Sequence, residues 1–168
     1  MLSRPWTARI GSVLLTATGL FVALCLLTYR PADVPWLSSH PLHPPANLGG
    51  ALGVWVGFAG RALFGWASLA LTVLCFLWAR RLWRGLLPEA HGPALLLGTL
   101  CFITSLATLL SLAATSDLAK TELGGLSGFL LARAGTYYLG WVGTALTGLC
   151  VGALSWLVVS GQPLRISG

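Results

Sequence analysis

The chain has 168 residues, 56% of them hydrophobic and only 8% charged, with a formal net charge of +6 from ten Lys+Arg against four Asp+Glu. A soluble domain carries about 25% charged residues, so there is too little charge to coat a globular surface in water, and an ordinary soluble enzyme is excluded. Nine of the bases are Arg, and their one tight cluster is Arg80, Arg81 and Arg84; that is too narrow for a nucleic-acid face and reads as a cytoplasmic topology signal.

Lipid is therefore the expected solvent, and the sequence predicts four spans. The first apolar run goes from Ile10 to Tyr29, about the 20 residues needed to cross a hydrocarbon core. Arg4 and Arg9 precede it, as in a signal peptide, but the run is long and no small-residue cleavage pattern follows in "LLTYRPADVP". It reads as a retained helix. Residues 30–47 then form a Pro-rich outer loop, "RPADVPWLSSHPLHPPAN", holding five of the nine prolines. Proline blocks regular helix there. His40 and His43 are spaced like a metal pair, but with Asp33 alone nearby they read as solvated loop.

The second span is Ala62 to Ala79, ending at "RRLWR", and residues 80–93 form the inner loop. The third is Ala94 to Ala114. An outer loop over 115–137 follows, in which Asp117 is placed to cap a helix, and the fourth span is Tyr138 to Val159. With the N-terminus inside, inner segments hold Arg4, Arg9, Arg80, Arg81, Arg84 and Arg165, and outer ones hold Arg30, Arg61, Lys120 and Arg133. The excess inside, and tryptophans and tyrosines near both expected interfaces, predict cytoplasmic termini. Arg61, near an outer end, is expected to snorkel outward.

"LGGALG" at Leu48–Gly53 returns as "LGGLSG" at Leu123–Gly128, 75 positions later. Residues 48–75 and 123–150 match at 13 of 28 positions, among them Gly49/Gly124, Gly50/Gly125, Gly53/Gly128, Gly60/Gly135, Gly65/Gly140 and Trp66/Trp141. This predicts two tandem helical hairpins of one orientation. A phosphate-binding loop would need a Lys-Ser/Thr pair after its glycines, and neither copy has one. Gly49, Gly53 and Gly57, and likewise Gly124 and Gly128, are instead spaced by four, which stacks small residues on one helix face and lets backbones approach. For the Gly49-Gly50 and Gly124-Gly125 pairs a turn is an equal reading. The same spacing suggests contacts between copies through Gly49, Gly53 and Gly57.

The predicted spans contain no Asp, Glu, Lys, Arg or His, which argues against a proton or ion pathway and against an intramembrane protease. Their Thr and Ser residues, including Thr16, Ser105, Thr108, Ser111, Thr144 and Thr147, are expected to bond their own helix backbone. Cys25, Cys75, Cys101 and Cys150 sit in apolar runs with no CxxC spacing and read as apolar fillers. No catalytic residue, cofactor or metal is expected. The fold class is all-α integral membrane, with four transmembrane helices as two tandem hairpins and short outer-side interfacial helices.

Tyr29, Pro31, Asp33, Pro35 and Trp36, then Asn47, Gly49, Gly50, Gly53, Phe64 and Gly65, together with "GGLSGFLLARAGTYYLG", resemble the N-terminal four-span region of the FtsK/SpoIIIE family of DNA translocases, from about Ile10 to Val159. The family often has an acid in the helix after N-x-G-G, where this chain has Gly57 to Arg61, so no role of that acid carries over. The resemblance implies a membrane anchor, followed by a linker and a hexameric RecA-like motor that pumps double-stranded DNA. It implies a homo-oligomer in the bacterial inner membrane at the division septum, in contact with other division proteins, meeting DNA only through a motor not among these residues. The chain is then expected to be an N-terminal piece of a longer protein; the alternative is a stand-alone four-span scaffold or assembly factor. A small transporter is a third, disfavoured reading.

Overall fold

The computed structural model describes residues 6–35, 37–38, 44–85 and 92–160. Every regular element among them is helical: α1 (Trp6–Leu27), α2 (Gly50–Phe64), α3 (Leu69–Trp83), α4 (Gly92–Ala113) and α5 (Asp117–Ser160), with single 3-10 turns at Pro31–Asp33 and Gly65–Ser68. Lipid offers backbone groups no partners, so a spanning segment must satisfy them within itself. Four stretches are long and apolar enough to cross a membrane: Trp6–Leu27, Gly50–Trp83, Pro93–Ala113 and Asp117–Ser160.

Two of these are longer than a span requires. Gly50–Trp83 is 34 residues and Asp117–Ser160 is 44, whereas about 20 suffice. Each bends at a glycine. Gly65 (φ 57°, ψ −138°) separates α2 from α3, while Gly125 (φ 64°, ψ −170°) and Gly140 (φ 71°, ψ 173°) divide α5. The outer segment over 115–137, where short interfacial helices are expected, is helical from Asp117 onward, and its glycines bend the helix rather than ending it. The residue capping that helix is Ser116, whose Oγ accepts the Ala119 N–H at 3.2 Å; Asp117 instead pairs with Lys120 at 3.0 Å. Ahead of the second expected span lies a further helix, α2, which begins at Gly50 and ends at the Gly65 break.

Local sequence explains the other ends. α1 stops where Thr28 bonds back to the Leu24 carbonyl, and Pro31 opens the 3-10 turn, a position where its missing N–H costs nothing. α3 ends in Arg80 and Arg81, favourable beside the negative end of the helix dipole, and Gly85 (φ 74°) closes it with its N–H on the Leu82 carbonyl.

The helices pack as two antiparallel hairpins, α1 with α3 and α4 with the last part of α5. Each seam is narrow because small residues line it. A Cβ on Gly19 would lie 3.0 Å from the Cys75 Cβ, and one on Gly98 would lie 3.1 Å from Val158. Each hairpin also carries one buried hydroxyl link: Ser12 donates to the Ala79 carbonyl at 2.7 Å, and Ser105 donates to the Gly148 carbonyl. Thr16, Thr104, Thr108, Thr144 and Thr147 bond their own helices. Ser105 and Ser111 do not, and neither does Thr72, whose Oγ1 is buried without a hydrogen-bond partner; Ser111 reaches the Lys120 carbonyl at 3.0 Å. Large side chains such as Leu14, Val13 and Leu154 are about three-fifths exposed, as suits a surface that faces acyl chains.

Candidate functional site

The repeat seen in the sequence is present in the backbone. Among the described residues five glycines have positive φ, and four of them form two pairs 75 apart: Gly50 (62°) with Gly125 (64°), and Gly65 (57°) with Gly140 (71°). Each repeat thus runs break, short helix, break, spanning helix. The first break lies just before residues 51–64 or 126–139, and the second lies just before α3 or residues 141–160.

The short helices lie on the end of the helix that precedes them. In the first repeat a Cβ on Gly49 would meet the Cys25 Sγ at 2.6 Å, one on Gly53 would strike the Asn47 Oδ1, and one on Gly57 would meet the Cys25 carbonyl at 2.8 Å. In the second, Cβ atoms on Gly124 and Gly128 would strike the Ala107 carbonyl, and Ala132 is buried. Gly53 and Gly57 are therefore turned onto α1 of the same chain. They are not free to contact a second copy, which corrects the expectation that contacts between copies run through this face.

A polar clasp closes the first repeat. Asn47, 3% exposed, donates from Nδ2 to the Cys25 carbonyl at 2.9 Å and accepts the Gly49 N–H on Oδ1 at 2.8 Å. The second bond is an Asx turn, which asparagine favours. Buried Asp33 accepts the Ala46 N–H at 3.0 Å, and Thr28 Oγ1 accepts the Leu48 N–H at 3.1 Å. These bonds fold the loop back so that α2 starts against the end of α1. Asn47 escaped assignment as a site residue because the carbonyl it clasps, that of Cys25, lies on α1; its signal was the N-x-G-G spacing. The loop positions Trp36, His40 and His43 lie outside the described residues, as do Arg4 and Arg165.

Arg61 is held between two partners at the end of α1 and the Gly65 break. It is half-buried, with its guanidinium carbon 3.5 Å from the Trp66 ring centroid and Nη2 3.4 Å from the Leu26 carbonyl. Burial pushes the Tyr29 phenol above the usual tyrosine range, Arg61 acts in the opposite direction, and Asp33 adds to the rise. Arg80 and Arg84 are exposed at the end of α3, with Arg81 half-buried beside them.

The two repeats meet at their breaks. A Cβ on Gly65 would lie 2.6 Å from the Gly125 nitrogen, and one on Gly125 would lie 2.5 Å from the Gly65 nitrogen. Ser127 Oγ donates to the Leu63 carbonyl across this contact at 2.6 Å. The second break of repeat one thus seats on the first break of repeat two, backbone against backbone. Among the described residues no three His, Cys, Asp or Glu side chains group as a metal site. What this geometry does is hold helices together.

Comparison with known proteins agrees with that framework. The family model described as the 4TM region of DNA translocase FtsK/SpoIIIE matches residues 7–165. A stretch of 77 residues, 46% of this chain, is 30% identical to the DNA translocase FtsK of Rickettsia prowazekii (strain Madrid E) and covers 10% of that protein. No solved structure matches. The chain belongs to the FtsK/SpoIIIE four-span family, and with four candidate spans it is a bacterial inner-membrane protein.

Proposed function

We propose that this four-span domain anchors an FtsK/SpoIIIE-type DNA translocase in the inner membrane at the division septum and helps its copies assemble. Both ends of the chain face the cytoplasm. The ATP-driven motor, and with it the contact to DNA and the role in chromosome segregation, belongs to protein outside these 168 residues. The match over residues 7–165 to the 4TM region of such translocases carries this reading. The relative's much greater length supports it, since the matched stretch covers only 10% of that protein.

The mechanism is mechanical. Ser12, Asn47, Ser105 and Ser127 bind backbone carbonyls across elements, and the glycine breaks let backbones touch, so the domain is a stiff platform rather than a conduit. Arg80, Arg81 and Arg84 hold the turn between hairpins at the cytoplasmic face through the positive-inside bias. Partners are the bilayer, further copies of the chain and division-site membrane proteins.

Reporter fusions test this directly. A fluorescent protein after Gly168 should glow and gather at the septum in dividing cells, while alkaline phosphatase inserted after Pro44 should be active. Uniform membrane fluorescence would remove the septal role, and an active phosphatase after Gly168 would reverse the orientation.

A further inference from the structure

Within one chain, Gly65 of the first repeat seats on Gly125 of the second. The repeat equivalents of these two residues are Gly140 and Gly50. Both keep the same left-handed backbone, at φ 71° and 62°, yet a Cβ on either would meet nothing within 4 Å. The internal interface therefore has its two complementary halves displayed again, unmatched, at opposite ends of the tandem.

We propose that copies of this chain assemble head to tail, with the Gly140 break of one copy seated on the Gly50 break of the next. The contact between copies repeats the contact between repeats. This deepens the assembly role under Proposed function and rests on that reading.

Three observations carry the choice of a second copy as occupant. First, the template is on the molecule: the surface around Gly65 already fits a break of the Gly50/Gly125 type. Gly49 and Gly124, the residues just before each first break, both face the preceding helix of their own repeat, so Gly50 and Gly125 are free to face the same kind of partner. Second, the exposed residues around the two open breaks are large and apolar: Leu48 (70% exposed) and Leu52 (73%) on one side, Tyr138 (80%) and Trp141 (59%) on the other. Open clefts of about 600 and 440 Å³ flank Gly140, one lined by Tyr137 and Trp141 with Asp117, Lys120 and Arg133 beside them, the other by Tyr138 and Leu139. Third, the symmetry is consistent. Repeats of one direction are related by rotation about the membrane normal, which is also the axis of any ring of copies in one bilayer. A head-to-tail contact is heterologous, and such contacts close into rings when the rotation allows.

One feature of the template is not repeated. Leu52 stands where Ser127 stands, so the hydroxyl bond to the facing carbonyl is lost. The contact between copies rests on close backbone approach and apolar packing, the forces that associate helices in lipid. It is accordingly weaker than the internal one.

The test is disulfide crosslinking in native membranes. The exposed Cys101 and Cys150 are first replaced by Ala, and Leu48→Cys and Trp141→Cys are placed at exposed positions that leave the fold intact. Copper phenanthroline should give a ladder beyond dimer when one chain carries both changes, and only dimer when chains carrying one change each are co-expressed. Either single variant alone, and a Leu14→Cys control pair on the α1 surface, should stay at background. A two-fold symmetric contact would crosslink Leu48→Cys to itself and overturns the proposal. Absence of any Leu48–Trp141 crosslink overturns it too. The mass of the unmodified chain in mild detergent separates the two failures. An oligomer without that crosslink removes this interface and leaves the assembly role standing; a monomer removes both.

Discussion

Gly65 and Gly125 touch through their backbones: a Cβ placed on either would come within 2.5 to 2.6 Å of the other's nitrogen. Both sit in backbone regions that essentially only glycine adopts. Substitution at Gly125 therefore carries two costs, about 1–3 kcal/mol of conformational strain and about 1–3 kcal/mol of overpacking against a backbone that cannot yield. Gly140→Ala carries only the strain, because space is open there. In dilute detergent, where copies are separate, Gly125→Ala should lower unfolding stability clearly more than Gly140→Ala. Equal losses would mean that the break-to-break contact does not form.

Asn47 holds the ends of α1 and α2 together through two bonds, to the Cys25 carbonyl and the Gly49 N–H. Asn47→Ala leaves the buried Cys25 carbonyl without this partner, at about 1–3 kcal/mol, and also frees the half-buried Gly49 N–H. Asn47→Asp keeps an acceptor for Gly49 but sets a carboxylate against the Cys25 carbonyl, and should be at least as damaging. Denaturant unfolding and protease sensitivity near residue 47 provide the measurement; a neutral Asn47→Ala would show that the clasp is dispensable.

Gly53 and Gly128 are equivalent residues that face α1 and α4 of their own chain. Gly53→Leu and Gly128→Leu should each disrupt the packing of a short helix, with loss of folded protein and of protease resistance. A variant that stays folded but becomes monomeric would instead place Gly53 at a contact between copies. Circular dichroism and mass in detergent, measured on one sample, distinguish these outcomes.

The Arg61 guanidinium stacks over Trp66 at 3.5 Å. A partly exposed cation–π pair of this kind is worth about 0.5–1 kcal/mol, rising toward about 2 where it is desolvated. A double-mutant cycle with Arg61→Leu and Trp66→Leu should return a coupling of about that size. Arg61→Lys should recover only part of it, since the planar group is lost. A coupling near zero would assign Arg61 to the Leu26 carbonyl alone.

Burial raises the Tyr29 pKa, with Asp33 adding to the rise and Arg61 opposing it. The folded protein therefore prefers the neutral phenol. The stability linked to it is fully present below the ordinary tyrosine pKa of about 10 and is lost as pH rises through the higher folded value. Ultraviolet titration should show a late phenolate step that Tyr29→Phe abolishes, and Tyr29→Phe should flatten the loss of stability at alkaline pH. If the late step survives in Tyr29→Phe, it belongs to another tyrosine.

Much of the architecture was legible without coordinates, because lipid imposes a simple demand. Long apolar runs with few charges must be helices, and four such runs were visible. The repeat was visible because glycine and tryptophan stand out against leucine and alanine. Over 115–137 the sequence left turn and interfacial helix as equal readings: Asp117, Lys120, Glu122 and the Gly124-Gly125 pair look like solvated turn, and in the fold that stretch is helical through its break where it packs on α4. The partners of Arg61 were not legible, because the ring and carbonyl that hold it come from Trp66 and Leu26, the latter on another helix.

The division of labour between sequence and structure is sharpest at the adjacent glycines. Composition and a 75-residue register determined four membrane helices in two like-directed hairpins, since hydrophobic length and rare residue types are properties of the chain itself. Which glycine of each pair meets a neighbour was decided only in three dimensions. Gly49 and Gly124 turn to the preceding helix, Gly125 turns to Gly65, and Gly50 turns to open space, although all four sit in matching sequence. A one-residue step around a helix rotates the face by about 100°, and what waits on that face is set by the other helices of the bundle.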